Sequence, residues 1–225
     1  MTSEALRREI IATARKMNAL GINRGKSGNV SARIADGFLV TPTGLSYEAT
    51  RPRDVVAMTL DGEARGARLP SSEWRFHRDI YAARNDAAAI VHAHSPFATT
   101  LACLAKDIPA FHYMIAVAGG KDIRCAPYAT FGTQTLSNHA VRALDGRKAC
   151  LLANHGMIAL GASLAGALAL AVEVEALAEQ YWRALQIGAP NLLSDEEMTV
   201  VLDKFQHYGQ SQRPPARPRR RRAVR

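Results

Sequence analysis

Hydrophobic residues recur along this chain first at helical and then at strand spacing. Apolar positions three or four residues apart begin after Ser3 and stop at Gly21, which predicts an N-capped amphipathic helix. Shorter apolar runs follow, broken by Asp-Gly turns. The predicted strands are residues 29–34, 38–41, 55–60, 88–94, 112–117, 149–153 and 156–160. The later predicted helices are residues 72–84, 96–105, 133–144, 163–187 and 194–206, the first of them capped by Ser72.

This order of elements predicts a single α/β domain over residues 1–210. No internal repeat and no linker interrupts it. Strands that alternate with helices are typical of a parallel sheet, so the spacing alone favours parallel strands. Residues 211–225 are rich in arginine and proline and nearly devoid of apolar residues, which predicts a disordered tail.

The net charge of +9 by itself suggests a nucleic-acid partner, but the positions of the basic residues along the chain argue against this. Seven arginines and no acidic residue lie in residues 211–225, and they account for all but +2 of that charge. We therefore interpret the tail as a solvated appendage and do not expect nucleic acid as a partner. The chain has no uninterrupted apolar stretch of twenty residues, no N-terminal secretion signal and only three widely spaced cysteines. These features predict a cytoplasmic protein that does not enter a membrane.

Three histidines that follow apolar runs are candidate metal ligands. His92 and His94 close the run that begins at residue 87, and His155 ends the run 150–154. Residues i and i+2 of a strand face the same side, so His92 and His94 are expected to bind one ion. Both runs are predicted as buried strands followed by helices, which brings the three imidazoles into a shared crevice. Three imidazoles and an open position form the ligand set of a catalytic zinc centre.

Three loops have the composition of an anion site. Each combines glycine or proline with hydroxyl or amide side chains beside a predicted strand or helix: residues 25–29, 41–44 and 70–72. Backbone N–H groups and a helix N-terminus can bind phosphate, but each loop alone also fits an ordinary turn. The spacing of a P-loop and that of a dinucleotide-binding motif are both absent.

Two further residues are candidates for proton transfer. Glu73 lies in the first turn of a predicted helix, where a carboxylate can stabilise the helix dipole. Beside a metal it can instead coordinate the ion and act as a general base. Tyr113, in a predicted half-buried strand, is either a packing aromatic or a proton donor. His77, four residues after Glu73, is interpreted as structural, as are His112, His139 and His207.

Taken together, several motifs resemble the class II aldolase/adducin family. They are Gly28-Asn29-Val30-Ser31, Thr41-Pro42-Thr43-Gly44, Pro70-Ser71-Ser72-Glu73, Val91-His92-Ala93-His94 and Asn154-His155-Gly156. Within that family, residues 112–116, 125–133 and 193–197, with Tyr208-Gly209, resemble the L-fuculose-1-phosphate aldolases. The similarity covers roughly residues 1–209 and leaves out the arginine tail.

The resemblance implies a bacterial enzyme with a mostly antiparallel central sheet flanked by helices, and we expect this fold. It implies one zinc ion per subunit, bound by His92, His94, His155 and, in the resting state, Glu73. It implies a phosphate site formed by Gly28, Asn29, Thr43, Gly44, Ser71 and Ser72. It also implies a homotetramer with active sites between subunits, in which a neighbour's substrate is contacted by Tyr113, Phe131 and Tyr208.

The implied reaction cleaves a ketose 1-phosphate to dihydroxyacetone phosphate and an aldehyde. L-Fuculose 1-phosphate is the first candidate, with L-lactaldehyde as its aldehyde. Zinc would polarise the carbonyl, Glu73 would move the proton at the carbon bearing the hydroxyl, and Tyr113 would protonate the aldehyde oxygen. The alternative aldolase chemistry uses a lysine Schiff base, but the lysines here lie in polar or loop surroundings.

Other members of the family leave alternatives open. Epimerases usually carry aspartate in place of Glu73, and adducin-like proteins are expected to lose the metal ligands, all of which are present. Dehydratases and decarboxylases keep the metal site, so only Tyr113 and the carboxy-terminal resemblance favour an aldolase over them. Asn154, where the fuculose enzymes carry a histidine, and residues 95–100 raise pentulose or deoxypentulose phosphates as further substrates.

Overall fold

Eight strands form one sheet between two layers of helices in the computed structural model, which describes residues 3–207. The helices are α1 (Ser3–Ala19), α2 (Trp74–Ala83), α3 (Pro96–Cys103), α4 (Gln134–Ala143), α5 (Leu164–Ile187) and α6 (Asp195–His207). The strands are β1 (Asn29–Ile34), β2 (Gly37–Val40), β3 (Val56–Met58), β4 (Ala64–Arg65), β5 (Ala89–Ala93), β6 (Cys125–Ala126), β7 (Ala149–Leu152) and β8 (Gly156–Gly161). Two short 3-10 helices complete the set, Pro52–Asp54 and Tyr113–Ala118.

The sheet is antiparallel except at one edge. Its strand order is β4-β3-β2-β1-β5-β8-β7-β6, and β6 with β7 is the single parallel pair in it. The mostly antiparallel fold implied by the resemblance is confirmed, and the parallel sheet favoured by spacing alone is wrong. The reason is that β1–β2 and β7–β8 are hairpins, while β5 inserts between β1 and β8 and runs antiparallel to both.

The two faces of the sheet are buried under different helices. α1, α3 and α5 cover one face with an apolar core that includes Ile10, Leu101 and Val174. α2 and α4 cover the other face with a second core that includes Phe76 and Leu136. Successive strand residues alternate between these cores, so His92 of β5 faces the side that α2 covers.

Two expectations about individual elements are wrong, and two short strands were not predicted. The predicted strand 112–117 is a 3-10 helix, because the His112 side chain accepts a hydrogen bond from the N–H of Met114 and Gly119 closes the segment with φ +90°. α2 begins at Trp74, so Glu73 and not Ser72 is its N-cap residue. The two-residue strands β4 and β6 were not predicted, since so short a run carries no recognisable alternation.

Some predictions concern parts of the chain outside these residues. The tail 211–225 and Tyr208 both lie beyond residue 207. Among the helices within residues 3–207, none combines the length and the apolar character that a membrane crossing requires. The cytoplasmic location stays a prediction.

Candidate metal centre

Four side chains from separate parts of the fold meet near the middle of the sheet. His92 lies in β5, and His94 follows the end of that strand. His155 lies in the turn between β7 and β8, and Glu73 precedes α2. One ligand atom from each residue lies within 4.8 Å of the other three. The structure therefore brings the candidate ligands together, although the run before His155 leads into a hairpin and not into the expected helix.

The ligand atoms of these residues face one another. Oε2 of Glu73 lies 3.1 Å from Nε2 of His92, and Oε1 lies 3.1 Å from Nε2 of His155. Nε2 of His94 is 3.0 Å from Nε2 of His92. The three imidazole planes are inclined to one another by 72° to 75°, so their nitrogens converge while their rings stay apart.

The protonation of the cluster is set by burial and by neighbouring charge. Nδ1 of His92 donates to the backbone carbonyl of Met157 over 2.9 Å, which leaves Nε2 as the ligand atom. Burial, together with the charges of His92 and His155, lowers the pKa of His94 to about 3 and keeps that ring neutral. Burial opposes ionisation of Glu73, but the charge of His92 and contacts with both imidazoles hold the pKa of the carboxyl well below its usual range.

The donor set fits a divalent cation. Oε1 of Glu73 is buried, and among the described residues no hydrogen bond satisfies it. A buried carboxylate oxygen without a donor is costly, and a cation beside it would remove that cost. Three imidazole nitrogens and one carboxylate oxygen are ligands that zinc binds well. We conclude that these four residues can hold one divalent metal ion.

The cluster borders an open cavity of about 250 Å³. Glu73, His94 and His155 reach this cavity, and the rest of its lining comprises Ser27, Ser72, Tyr128, Ala129, Phe131 and Asn154. Sequence analysis placed Ser27 in the predicted anion loop 25–29 but gave no role of their own to Tyr128 and Ala129. The last two lie inside the segment 125–133 that carried the family resemblance, which was the available signal. The cavity gives a small molecule a route from solvent to the metal ligands.

The family model described as Class II Aldolase and Adducin N-terminal domain matches residues 8–182. The chain belongs to this family. It is 58% identical over 214 residues to the 5-methylthioribulose-1-phosphate/5-deoxyribulose-1-phosphate aldolase of Rhodospirillum rubrum, covering 95% of this chain and 97% of that protein. It is 51% identical over 210 residues to the L-fuculose phosphate aldolase of Escherichia coli, covering 93% and 98%. A solved structure of L-fuculose 1-phosphate aldolase matches with a TM-score of 0.89 at 42% identity, covering 92% and 98%.

These similarities confirm three of the predictions. The family, the fold and the enzyme class, a class II aldolase, are as expected. The aldolase names also support a ketose 1-phosphate as the substrate class. Relatives named for methylthioribulose or deoxyribulose phosphates and relatives named for fuculose phosphate both match, so the preference for L-fuculose 1-phosphate stays a prediction.

In this class II aldolase, the predicted phosphate residues of two loops lie at different depths. Thr43 and Gly44 are exposed, and the Lys26 ammonium donates to the Gly44 carbonyl over 3.0 Å, which ties two of the predicted loops together. Ser72 is exposed at the edge of the metal cavity. Ser71 is buried, and its hydroxyl accepts a hydrogen bond from the N–H of Glu73.

Gly28 and Asn29 have contacts at the metal centre itself. A Cβ atom on Gly28 would lie 2.6 Å from the backbone oxygen of His92, so only glycine lets the start of β1 approach β5 this closely. The Asn29 amide is buried and donates to Oε2 of Glu73 over 2.9 Å. The phosphate contacts predicted for Gly28 and Asn29 stay predictions. In addition, Gly28 allows the close approach of β1 to β5, and Asn29 binds Glu73.

Two of the three predicted intersubunit residues lie in the described part of the chain, and they border different cavities. Phe131 is 64% exposed beside the metal cavity. Tyr113 is 52% exposed, at the start of a 3-10 helix and not in the expected strand, and it borders a separate cavity with Leu193 and Phe205. Tyr208 lies outside the described residues. The separation of Tyr113 from Glu73 within one chain is what an intersubunit role requires, and that role stays a prediction.

Proposed function

We propose that this protein is a zinc-dependent aldolase that cleaves a ketose 1-phosphate between C3 and C4 to dihydroxyacetone phosphate and an aldehyde. One observation carries the proposal: the Glu73 carboxylate and three imidazole nitrogens converge at the wall of an open cavity. This arrangement combines a metal site with a carboxylate that can exchange protons with a bound substrate.

The roles of the chain's own residues follow from their positions. A zinc ion held by His92, His94 and His155 would polarise the substrate carbonyl as a Lewis acid. Glu73, ionised in its buried position beside the cavity, is proposed to take and return the proton at C3. Tyr113 of a neighbouring subunit, reaching the site in a homotetramer, would exchange a proton with the oxygen on C4.

The phosphate group is proposed to lie beside the same cavity. Exposed Ser72 at its edge supplies one hydroxyl, and exposed Thr43, beside Gly44, supplies another. The N–H of Thr43 donates to the Leu69 carbonyl over 3.1 Å, which joins the loop 41–44 to the chain that leads to Ser72. Gly28, Asn29 and Ser71 complete the proposed set. Phe131 and Tyr208 are proposed to enclose the substrate with the neighbouring subunit.

For the sugar, we propose 5-methylthioribulose 1-phosphate and 5-deoxyribulose 1-phosphate as the preferred substrates. The relative named for these sugars is 58% identical to this chain. Tyr128, Ala129 and Phe131 line the cavity beside the metal ligands and suit an aldehyde with an apolar end. L-Fuculose 1-phosphate is the second candidate, supported by a relative of 51% identity, and its aldehyde carries one more hydroxyl.

A coupled assay for dihydroxyacetone phosphate tests both levels of the proposal. Zinc-loaded protein is supplied with each of the three ketose phosphates, and the values of kcat/KM are compared. Release from any of them, lost in Glu73→Gln, supports the reaction class. Their ranking then decides the sugar. Conversion of a ketose phosphate without dihydroxyacetone phosphate would contradict the aldolase and indicate dehydration or epimerisation.

A further inference from the structure

A line of buried polar side chains joins β1 to α2 directly behind the metal centre. Asn29 and Ser31 are two residues apart on β1, while Glu73, His77 and Tyr81 are four apart along α2 and its cap. A step of two residues along a strand covers about 6.8 Å, and a step of four residues along a helix covers about 6.0 Å. Side chains at these two spacings can therefore face one another along β1 and α2. All five side chains are buried between sheet and helix, next to the apolar residues of the second core.

Hydrogen bonds connect the five side chains without a gap. Asn29 Nδ2 lies 2.9 Å from Glu73 Oε2, and Asn29 Oδ1 lies 2.5 Å from His77 Nε2. On the other side of the ring, His77 Nδ1 is 2.7 Å from Ser31 Oγ. Ser31 Oγ is in turn 2.8 Å from the hydroxyl of Tyr81. The chain thus runs from the aromatic core to the carboxylate at the metal.

The chemistry of Glu73 sets the direction of every bond. An ionised carboxylate only accepts, so Asn29 presents its NH₂ to Glu73 and its oxygen to His77. His77 must then carry its proton on Nε2 and accept at Nδ1. Ser31 donates to that nitrogen and accepts from Tyr81. Burial, with the charge of His92, lowers the pKa of His77 to about 3, so the ring is neutral and this single tautomer satisfies both neighbours.

Resting on the proposed function, we infer that His77 is a positioning residue for the proton transfer by Glu73. The His77 N–H holds the oxygen of Asn29, which prevents the amide from flipping and keeps its NH₂ on Glu73. Without that donor the Asn29 oxygen is buried with no hydrogen bond and the amide is held by the carboxylate alone, so the contact that fixes one oxygen of Glu73 is weakened. His77 is remote from the substrate and acts only through Asn29.

The test measures proton transfer separately from bond cleavage. Zinc-replete protein is incubated with dihydroxyacetone phosphate in D₂O, and NMR follows replacement of one C3 hydrogen by deuterium. The C–H bond breaks, the proton passes to Glu73 and exchanges with solvent, and a deuteron returns to carbon. The variants are His77→Leu, which removes both ring nitrogens, and His77→Gln, whose amide N–H can take the place of the Nε2 donor. His139→Gln, on a half-buried histidine of α4, and Tyr181→Phe, on a tyrosine outside the line, are the controls.

If His77 positions Glu73, its loss lowers the exchange rate and kcat but leaves KM and zinc content nearly unchanged, a combination that a loss of folding would not produce. In His77→Leu the exchange rate and kcat fall by about 10- to 100-fold, with KM changed by no more than about 3-fold and with zinc content retained. In His77→Gln both rates recover to within about 5-fold of the wild type, because a donor to Asn29 is restored. Should His77→Leu fail to fold, Ser31→Ala tests the same line, with an expected loss of about 3- to 10-fold in exchange.

Each contrary result has one meaning. Unchanged exchange in folded, zinc-replete His77→Leu or Ser31→Ala overturns the positioning role while leaving the proposed function intact. Equal losses in His77→Leu and His77→Gln also overturn it, since ring shape and not the donor would then matter. Absence of exchange in the wild-type protein, by contrast, rejects the proposed function and the inference together.

Discussion

The imidazole of His92 donates from Nδ1 to the backbone carbonyl of Met157, 2.9 Å away across the β5–β8 pair. This bond uses the nitrogen that points away from the cluster, so Nε2 is held as the ligand atom. Because the partner is a backbone atom of the adjacent strand, the sheet itself orients the metal ligand.

Replacement of this histidine should remove the metal while leaving the fold in place. We expect His92→Gln to lower zinc affinity by more than about 100-fold, because one ligand and its orienting bond are lost together. Metal content after dialysis, measured by mass spectrometry of the digested protein, checks this. His139→Gln is the matched control on a half-buried histidine outside the metal centre and should retain its zinc. Equal zinc content in the two variants would exclude His92 as a ligand.

Gly156 gives a second test of the geometry, from the opposite strand. A Cβ atom there would lie 2.5 Å from the backbone oxygen of Ala93 and 2.9 Å from Cδ2 of His94. Gly156→Ala should therefore push β8 away from His94 and lower zinc affinity by about 10- to 100-fold. Gly188→Ala is the control, since its Cβ would meet nothing within 4 Å. Isothermal titration with zinc distinguishes the two, and equal affinities would contradict the close approach of β8 to the metal site.

Asp79 links α2 to α4 and predicts a pH-dependent stability. Its carboxylate accepts hydrogen bonds from Ser137 and Gln134 across the helix pair and from Arg78 in its own helix. Burial works against ionisation, but these donors outweigh it and hold the pKa of the carboxyl below its usual range. Asp79→Asn should cost about 1–2 kcal/mol of unfolding free energy at pH 7.

The sign of the pH effect follows from the lowered pKa of Asp79. Its stabilisation is complete above the ordinary carboxyl pKa of about 4 and is lost as the pH falls through the lower folded-state value. The difference between wild type and Asp79→Asn should therefore shrink from pH 7 to pH 3. Urea unfolding at one protein concentration measures it, with exposed Asp61→Asn as control. A difference that grows toward low pH would contradict the assignment.

The proposed intersubunit role of Tyr113 can be tested by mixing two inactive variants. Glu73→Gln and Tyr113→Phe chains are co-expressed with different tags, and mixed oligomers are purified through both. If Tyr113 serves a neighbour's site, about a quarter of the sites in a random mixture keep both residues, and activity returns to that level. If both residues serve the same chain's site, the mixture stays as inactive as its parents.

The part of the metal site that could be predicted from sequence is the part formed by residues close together in the chain. His92 and His94 are separated by one residue, so strand alternation predicts that their side chains share one side of the sheet, and their Nε2 atoms lie 3.0 Å apart. His155 was expected beside that pair because apolar runs precede all three histidines. The approach of Glu73 depends on contacts between distant segments, and only the family resemblance implied it as a ligand. The line from Asn29 to Tyr81 was missed because it needs the register of β1 against α2, which no single segment contains.

The same holds for the fold: local elements were predicted from the sequence, and long-range arrangements were not. Hydrophobic spacing located the long helices to within a residue or two, as for α5, predicted at 163–187 and found at Leu164–Ile187. Strand direction was wrong from spacing alone, because antiparallel insertion of β5 between β1 and β8 is a long-range choice. The 3-10 helix Tyr113–Ala118 was mistaken for a strand, since an apolar run of six residues fits either.

A zinc titration of metal-free protein tests the central claim most directly. Dihydroxyacetone phosphate release from 5-deoxyribulose 1-phosphate is followed as zinc is added to protein stripped with a chelator, in parallel with Glu73→Gln. The account predicts activity that rises in proportion to zinc, reaches a plateau at about one equivalent per chain and is absent from the variant at every point. Full activity in the metal-free protein, or an equal rise in Glu73→Gln, would contradict it.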